Sequence, residues 1–467
     1  MQALCFDNLS AGSAQELYNG QDAHNYTTLK HDTFPHHSVR IKPKSTGFCD
    51  STVDTYVGYI DIEARHLFFF YFESRNAPAD DDVVLWLNGG PGGSSSLGLF
   101  MELGPCTIIS DNATEYNPYS WNSNANMLFI DQPIGVGLSY AEYGETVATT
   151  EDAAKDIAAF LAIFFECMDG LKGRGLHIAG ESYGGRYVPL FAAAVYDQNR
   201  RFEELGMTPV NLLSAMIGNG CSDPYQCVAS ASMFPSVVPL HIPADFPSSV
   251  CTQMKLALPR CQLALRTHCQ ETFDIMNCAA AHSFCEDMLS VPFQLTGNIY
   301  DIRTECIGEV QDTLCYPEPK QIANYLNLPS TRDILGIAPS FPNISLVGWA
   351  VNSAFSASGD VYRSSTHYIA ALLERGVRVL IYAGTSDLAC NFVGNDRMTH
   401  ELEWAGQAQF AAQPLRAWAS DGRTAGETRA FGGLTFATLL DAGHQVPHDN
   451  PVQSLALINR WLADVPL

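Results

Sequence analysis

Basic residues are scarce in this chain: 26 Lys and Arg stand against 50 Asp and Glu in 467 residues, a formal net charge of −24 at pH 7. A surface that acidic repels phosphates instead of neutralising them, which excludes a nucleic-acid partner. Long apolar runs are missing as well. The most lipid-like stretch, Ile157 to Phe165, is about half the ~18–20 residues needed to cross a bilayer, so it reads as a buried helix and no membrane contact is expected. Charged residues make up only 16% against 46% hydrophobic, a balance that excludes disorder and permits a sizeable core. No glycine-rich loop is closed by Gly-Lys-Ser/Thr, so nucleotide binding is not expected. The opening Met1-Gln-Ala-Leu-Cys-Phe shows no charged leader followed by a ~7–15-residue apolar stretch, so no signal peptide is read there.

What is present points to export. The chain has 14 Cys, and that many in an ordinary-sized protein suits an oxidising compartment. Nine of them fall between Cys221 and Cys315, as in a stapled, loop-rich insertion. Four N-glycosylation sequons begin at Asn8, Asn25, Asn112 and Asn343, so N-glycans are expected. The acidic balance suits work in an acidic place, where part of the charge is titrated away. Secreted and vacuolar destinations remain equally open, as do monomer and homodimer.

Residues 1–45 are polar and His-rich and read as an N-terminal extension or pro-segment remnant, or equally as a surface arm. From Tyr56 the pattern changes. Tyr56–Ile62 and Leu67–Glu73 read as paired strands, Val83–Leu87 as a buried strand and Met127–Asp131 as another. Ala153–Met168 has helical length and spacing, and Leu176–Ala179 is a strand running into Gly180. Strands alternating with helices predict an α/β fold with a mostly parallel sheet. The cysteine-rich block from 221 to 324 interrupts that rhythm. It resumes with a helix at Tyr368–Glu374, a strand at Val377–Tyr382 and a last helix at Val452–Leu462. The economical architecture is one α/β core, residues 46–220 and 325–467, carrying an inserted cap at 221–324.

Gly180-Glu-Ser182-Tyr-Gly184 follows a strand and precedes a helix predicted over Tyr187–Val195. Small residues there let a serine sit in a strained strand-to-helix turn with its hydroxyl projecting above the sheet. A serine needs a base, and the base needs an acid to set its tautomer. In this architecture the chain order is Ser, acid, His. Asp387 follows a late strand across Ala383-Gly-Thr-Ser, and His444 lies just before the last helix, where that order predicts both. An oxyanion needs donors, and Trp86-Leu-Asn-Gly-Gly-Pro-Gly-Gly-Ser-Ser ends an early strand with bare backbone. The amides of Gly90 and Tyr183 are the expected pair. This chemistry calls for no metal and no cofactor.

Five ordered motifs resemble the serine carboxypeptidases, most closely the carboxypeptidase Y type of fungi, from about Tyr56 to the C-terminus. They are WLNGGPGGSS at 86–95, FIDQPIGVGLSY at 129–140, GESYGGRYVP at 180–189, YAGTSDLACN at 382–391 and AGHQVP at 442–447. The resemblance implies an α/β-hydrolase fold and a Ser182–Asp387–His444 triad. It also implies that Trp86, Asn88, Glu181 and, behind them, Glu102 receive the C-terminal carboxylate of a peptide or protein substrate. Glutamates facing an anion work only when protonated, which mutual repulsion and desolvation favour. The implied activity is release of C-terminal residues in acid, through an acyl-enzyme. The same triad on small esters (an esterase or acyltransferase), or an idle binding or protective protein on this scaffold, are the competing readings. The intact triad and glycine loop argue against the second, and Asn88 and Glu181 against the first.

The resemblance further implies bridges Cys261–Cys285, Cys269–Cys278 and Cys306–Cys315, with Cys251 joined to Cys221 or Cys227. Cys49 with Cys106 is an additional pair. Cys390, three residues past Asp387, resembles the family's free thiol near the site. Where the family usually has a cysteine this chain has Gly93, and the expected partner stretch Leu346–Asn352 also lacks one. Both halves of that staple are missing together. Arg186 and Gln445 stand where relatives carry other residues, which leaves the leaving-residue pocket open.

Overall fold

The computed structural model of the chain describes residues 6–7, 26–31, 33–42, 48–168, 170–231, 248–289 and 298–467. Asn8 and Asn25, two of the four sequons, lie outside them, as does the side chain of Cys251. The strands in chain order begin with β1 (Phe6–Asp7), β2 (Thr27–Lys30), β3 (His37–Lys42), β4 (Thr55–Ile62), β5 (Arg65–Phe72) and β6 (Val83–Leu87). They continue with a hairpin of β7 (Cys106–Ser110) and β8 (Ala113–Tyr116), then β9 (Asn126–Ile130), β10 (Tyr140–Ala141) and β11 (Gly175–Ser182). The last are β12 (Asn211–Gly220), β13 (Arg378–Gly384), β14 (Arg416–Ser420), β15 (Arg423–Phe431) and β16 (Leu434–Leu439).

Fourteen strands form one sheet in the order β1-β2-β3-β4-β5-β9-β6-β11-β12-β13-β16-β15-β14, with β10 pairing β5 off that path. The centre, from β9 to β16, is parallel, and both flanks are antiparallel. A parallel strand covered on both faces reads as an unbroken apolar run, and Val83–Leu87 is buried at every position. Its side chains still divide by parity. Val83, Leu85 and Leu87 join one core with Ile157, Phe160 and Phe191, from the helices Thr150–Cys167 and Gly184–Leu205. Val84 and Trp86 join the opposite core with Leu457 and Trp461, from the helix Pro451–Leu462. That parity puts Trp86 on the side where Asn88 and Glu102 gather.

Between β12 and β13 the helices Pro224–Ala231, Ser248–Leu265 and Ile275–Leu289 build a small core of their own, with Met254, Cys261, Cys285 and Leu289. Leu388 packs into it, so the inserted block touches the loop that carries Asp387. The pairs Cys49–Cys106, Cys269–Cys278 and Cys306–Cys315 form. Two expectations are overturned. Cys221 is bridged to Cys227, not to Cys251, because the chain turns between them into the helix at 224–231 and brings their Cα atoms to 5.9 Å. Cys261 and Cys285 are buried, side by side and free. The missing staple has a visible counterpart: Gly93 and Val347 form a β-bridge, and Ser94 N donates to Leu346 O at 2.8 Å.

Candidate active site

Ser182 ends β11 with φ of 61°, a left-handed backbone uncommon for a side chain larger than glycine, and the helix Gly184–Leu205 starts two residues on. The turn is tight because its neighbours are bare. A Cβ on Gly89 would lie 2.4 Å from Tyr183 N and 2.7 Å from Ser182 Cβ. Gly90, at φ of 115°, then turns the chain in a conformation that L side chains rarely adopt. The loop after β6 therefore rests directly on the elbow, with the Gly90 and Tyr183 amides flanking one corner. Buried Asp131 holds this loop, accepting from Ser94 Oγ at 2.5 Å, Ser95 N at 3.1 Å and Leu138 N at 2.9 Å.

Asp387 sits three residues beyond the end of β13, fully buried. Its carboxylate accepts from Asn219 Nδ2 at 2.7 Å, Ala389 N at 2.9 Å and Cys390 N at 3.2 Å, and meets His444 Nδ1 at 2.8 Å. Tyr300, from the inserted block, holds the histidine backbone through His444 N to Tyr300 O at 2.7 Å and packs its ring 5.1 Å from the imidazole. Burial by itself would lower the His444 pKa; the Asp387 carboxylate overrides it and holds the imidazole above its ordinary value. Ser182 reaches the cluster through Cys390, whose thiol lies within hydrogen-bonding reach of the Ser182 side chain. Among the described residues no hydrogen bond joins the Ser182 hydroxyl to the imidazole; nucleophile–base contacts commonly tighten only when substrate is bound.

On the other side of the elbow, four expected residues form one buried chain. Trp86 Nε1 donates to Asn88 Oδ1 at 2.8 Å, which fixes the amide's orientation. Asn88 Nδ2 then donates to Glu181 Oε1 at 3.0 Å and Glu102 Oε1 at 3.3 Å. The two carboxyl groups hydrogen-bond each other. Burial pushes Glu102 up to about 7. Glu181 is held well above the usual carboxylate range by burial and by Glu102 beside it. Such a pair, held above the usual carboxylate range, favours its protonated form and can donate to an anion, and Glu102 Oε2 has no hydrogen-bond donor among the described residues.

Three residues here were not singled out from the sequence. Asn219, at φ of 41° between two glycines that end β12, donates to Asp387 and accepts from Gly384 N at 3.1 Å. The signal was a polar residue closing an apolar run. Tyr300 carried no signal, because its contact exists only once the inserted block is folded. Asp360, almost fully buried, receives the Tyr183 hydroxyl, Thr150 Oγ1 at 2.5 Å, and both Nε and Nη2 of Arg186 at 2.9 and 2.8 Å. Arg186 is thus a buried strut behind the elbow.

Residues 43–464 match the family model described as serine carboxypeptidase. The chain belongs to the serine carboxypeptidase family. Carboxypeptidase Y of Candida albicans is 39% identical over 440 residues, spanning 92% of this chain and 77% of that one. The vacuolar serine-type carboxypeptidase ATG42 of Saccharomyces cerevisiae is 38% identical over 453 residues, 94% of this chain and 85% of its own length. The crystal structure of Kex1(delta)p, a prohormone-processing carboxypeptidase from Saccharomyces cerevisiae, superposes with a TM-score of 0.75 at 24% identity, over 88% of this chain and 92% of that one. It shares the fold, an α/β-hydrolase with a mixed, mostly parallel sheet. The protein is a serine-type carboxypeptidase, a hydrolase of peptide bonds. No described helix is long and apolar enough to cross a membrane.

Proposed function

We propose that this carboxypeptidase removes C-terminal residues in acid through an acyl-enzyme on Ser182. His444 takes the serine proton as Ser182 Oγ attacks the scissile carbonyl, and Asp387 holds the imidazole tautomer and steadies its charge. The amides of Gly90 and Tyr183 receive the oxyanion. His444 then returns the proton to the departing amino acid, and water attacks the acyl-enzyme by the same route. Asn88 and the protonated Glu102–Glu181 pair hold the substrate's terminal carboxylate, with Trp86 orienting Asn88. The observation that carries this reading is the juxtaposition of a carboxylate–imidazole contact of 2.8 Å with a buried carboxyl pair joined by Asn88 on the same elbow.

The cysteine framework and the vacuolar relative support a secretory or vacuolar destination. The exposed sequons Asn112 and Asn343, which line one surface cavity, are the proposed glycan sites among the described residues. Residues 1–45 are proposed as an N-terminal extension or pro-segment remnant, and 221–324 as the inserted cysteine-rich cap. The deciding test compares a blocked dipeptide with its C-terminal amide at acid pH, alongside labelling by a serine-directed phosphonate. Strong preference for the free acid, with labelling lost in Ser182→Ala, is expected. Equal turnover of both substrates would refute the carboxylate site, and labelling that survives in Ser182→Ala would refute the nucleophile.

A further inference from the structure

Three sulfur atoms meet beside the nucleophile. Sγ of Cys221, Cys227 and Cys390 all lie within 4.8 Å of one another. Cys221 and Cys227 are joined as a disulfide, and Cys390 is a buried free thiol. Each comes from a different element. Cys221 follows β12, and its N–H donates to Ser182 O at 2.9 Å. Cys227 sits in the first turn of the helix Pro224–Ala231. Cys390 follows the Asp387 loop, donates its own N–H to Asp387, and reaches the Ser182 side chain with its thiol. A thiol beside a disulfide is half of an exchange reaction, which needs only a thiolate and access to one of the two sulfurs.

We propose that Cys221, Cys227 and Cys390 form an intramolecular thiol–disulfide exchange site adjoining the nucleophile, in which Cys390 displaces Cys227 from Cys221. The Cys390 thiolate attacks Cys221 Sγ, the Cys221–Cys227 bond breaks, and a Cys221–Cys390 bond forms. Cys227 leaves as thiolate and takes the proton that Cys390 gave up. One disulfide and one thiol become one disulfide and one thiol, so no oxidant or reductant is consumed. Cys227 is the better leaving group because the first turn of a helix favours a thiolate. The product bridge removes the thiol next to Ser182 and ties the segment after β12 covalently to the loop of Asp387. Burial, Asp387 and Glu181 keep the proton on Cys390, and the Tyr300 phenol faces the same thiol. Exchange is therefore slow in acid and quickens as pH rises, because the thiolate fraction grows about tenfold per pH unit below the thiol pKa. This inference stands apart from the peptidase assignment, since its readout is the identity of the bonded sulfurs.

The test maps disulfides in the whole protein after incubation at about pH 5 and about pH 8.5, with acid quenching and alkylation under denaturing, non-reducing conditions. At the lower pH the alkyl label is expected on Cys390. At the higher pH, label on Cys227 and a Cys221–Cys390 cross-linked peptide are expected to rise together. If Cys390 is the only one of the three alkylated at both pH values, the exchange site is overturned. A Cys227–Cys390 bridge would overturn the assigned direction. A second arm uses Cys227→Ser with oxidised glutathione as oxidant. A Cys221–Cys390 bridge is expected there, whereas separate glutathione adducts on the two cysteines would count against the proposal.

Discussion

At Asp387 a single carboxylate serves four partners, and only one of them is the imidazole. Replacing it with Asn keeps the shape but permits the wrong His444 tautomer. Asp387→Asn is expected to lower kcat by roughly 10³–10⁴-fold with little change in KM, checked by steady-state kinetics on a peptide acid. The Glu102–Glu181 pair gives a prediction with a definite sign. Both groups are raised, so they are protonated below the folded pKa and become charged above it. KM for a peptide acid is expected to rise as pH passes through about 7, where Glu102 loses its proton. KM for the matching amide should stay flat, and Glu102→Gln should flatten the profile for the acid. A KM profile for the acid that matches that of the amide would contradict the assignment. Ser182, Asp387 and His444 were legible as residues because their chain order is constrained by the fold. Trp86, Asn88, Glu102 and Glu181 were legible only through the family motifs, since nothing in their spacing distinguishes a buried carboxyl pair from two surface glutamates.

At the scale of elements, the elbow is braced from behind. The buried carboxylate of Asp360 ties the first turn of the helix Gly184–Leu205 to the start of the helix Thr150–Cys167, through Arg186, Tyr183 and Thr150. Asp360→Asn would leave buried Arg186 with only the half-exposed Glu151 carboxylate, at 2.9 Å, as its ionic partner, a loss expected below the ~3–5 kcal/mol typical of a buried charge left wholly unpaired. Urea unfolding is expected to show that loss as a lower midpoint. From the front, Gly89 leaves no space: Gly89→Ala is expected to abolish phosphonate labelling while far-UV circular dichroism stays native, because the added methyl meets backbone at 2.4 Å. Apolar runs and helical spacing made β4, β5, β6, β9, β11 and β13 readable. β12 escaped notice although it sits at the centre of the sheet, since its run ends in Gly-Asn-Gly against the cysteine-rich block. The helix predicted at 187–195 extends to Leu205 because its exposed second half carries good helix formers and ends on Gly206 at φ of 70°.

At the scale of the whole molecule, acid-dependent stability follows from which carboxyls are raised and which are lowered. Burial pushes Asp131, Asp156 and Asp223 up to about 6. A carboxyl raised on folding contributes stability that is present below its unfolded pKa and lost as pH rises through the folded value. Asp50 and Asp360 are buried and Asp61 is partly so, yet Thr52 with Arg75, Arg186, and Arg40 with His66 respectively hold them below their ordinary value. Their contribution is present above the unfolded pKa and lost as pH falls. The melting temperature is therefore expected to fall between pH of about 5 and 7, and again in stronger acid, which scanning calorimetry would test. A curve that climbs steadily to neutrality would show that the raised group does not govern. The N-terminal strands belong to this scale as well. β3 pairs with β4 and buries Val39 and Ile41, and Arg40 donates to Asp61 at 2.6 and 2.8 Å, so residues read as polar extension or surface arm line the sheet edge.

Composition, motif order and apolar periodicity by themselves determined the α/β class and the family, and they pointed to Ser182, Asp387 and His444 as the candidate serine, acid and histidine. Those are properties of local chain chemistry and of the order in which a parallel sheet is wound. Tertiary structure alone decided which sulfurs bond, that Tyr300 and Asn219 hold the histidine and its acid, and that two glutamates are buried side by side, where burial holds both above the usual carboxylate range. Each of these depends on distance between residues far apart in the chain and on exclusion of water around them, and neither quantity is written along a sequence.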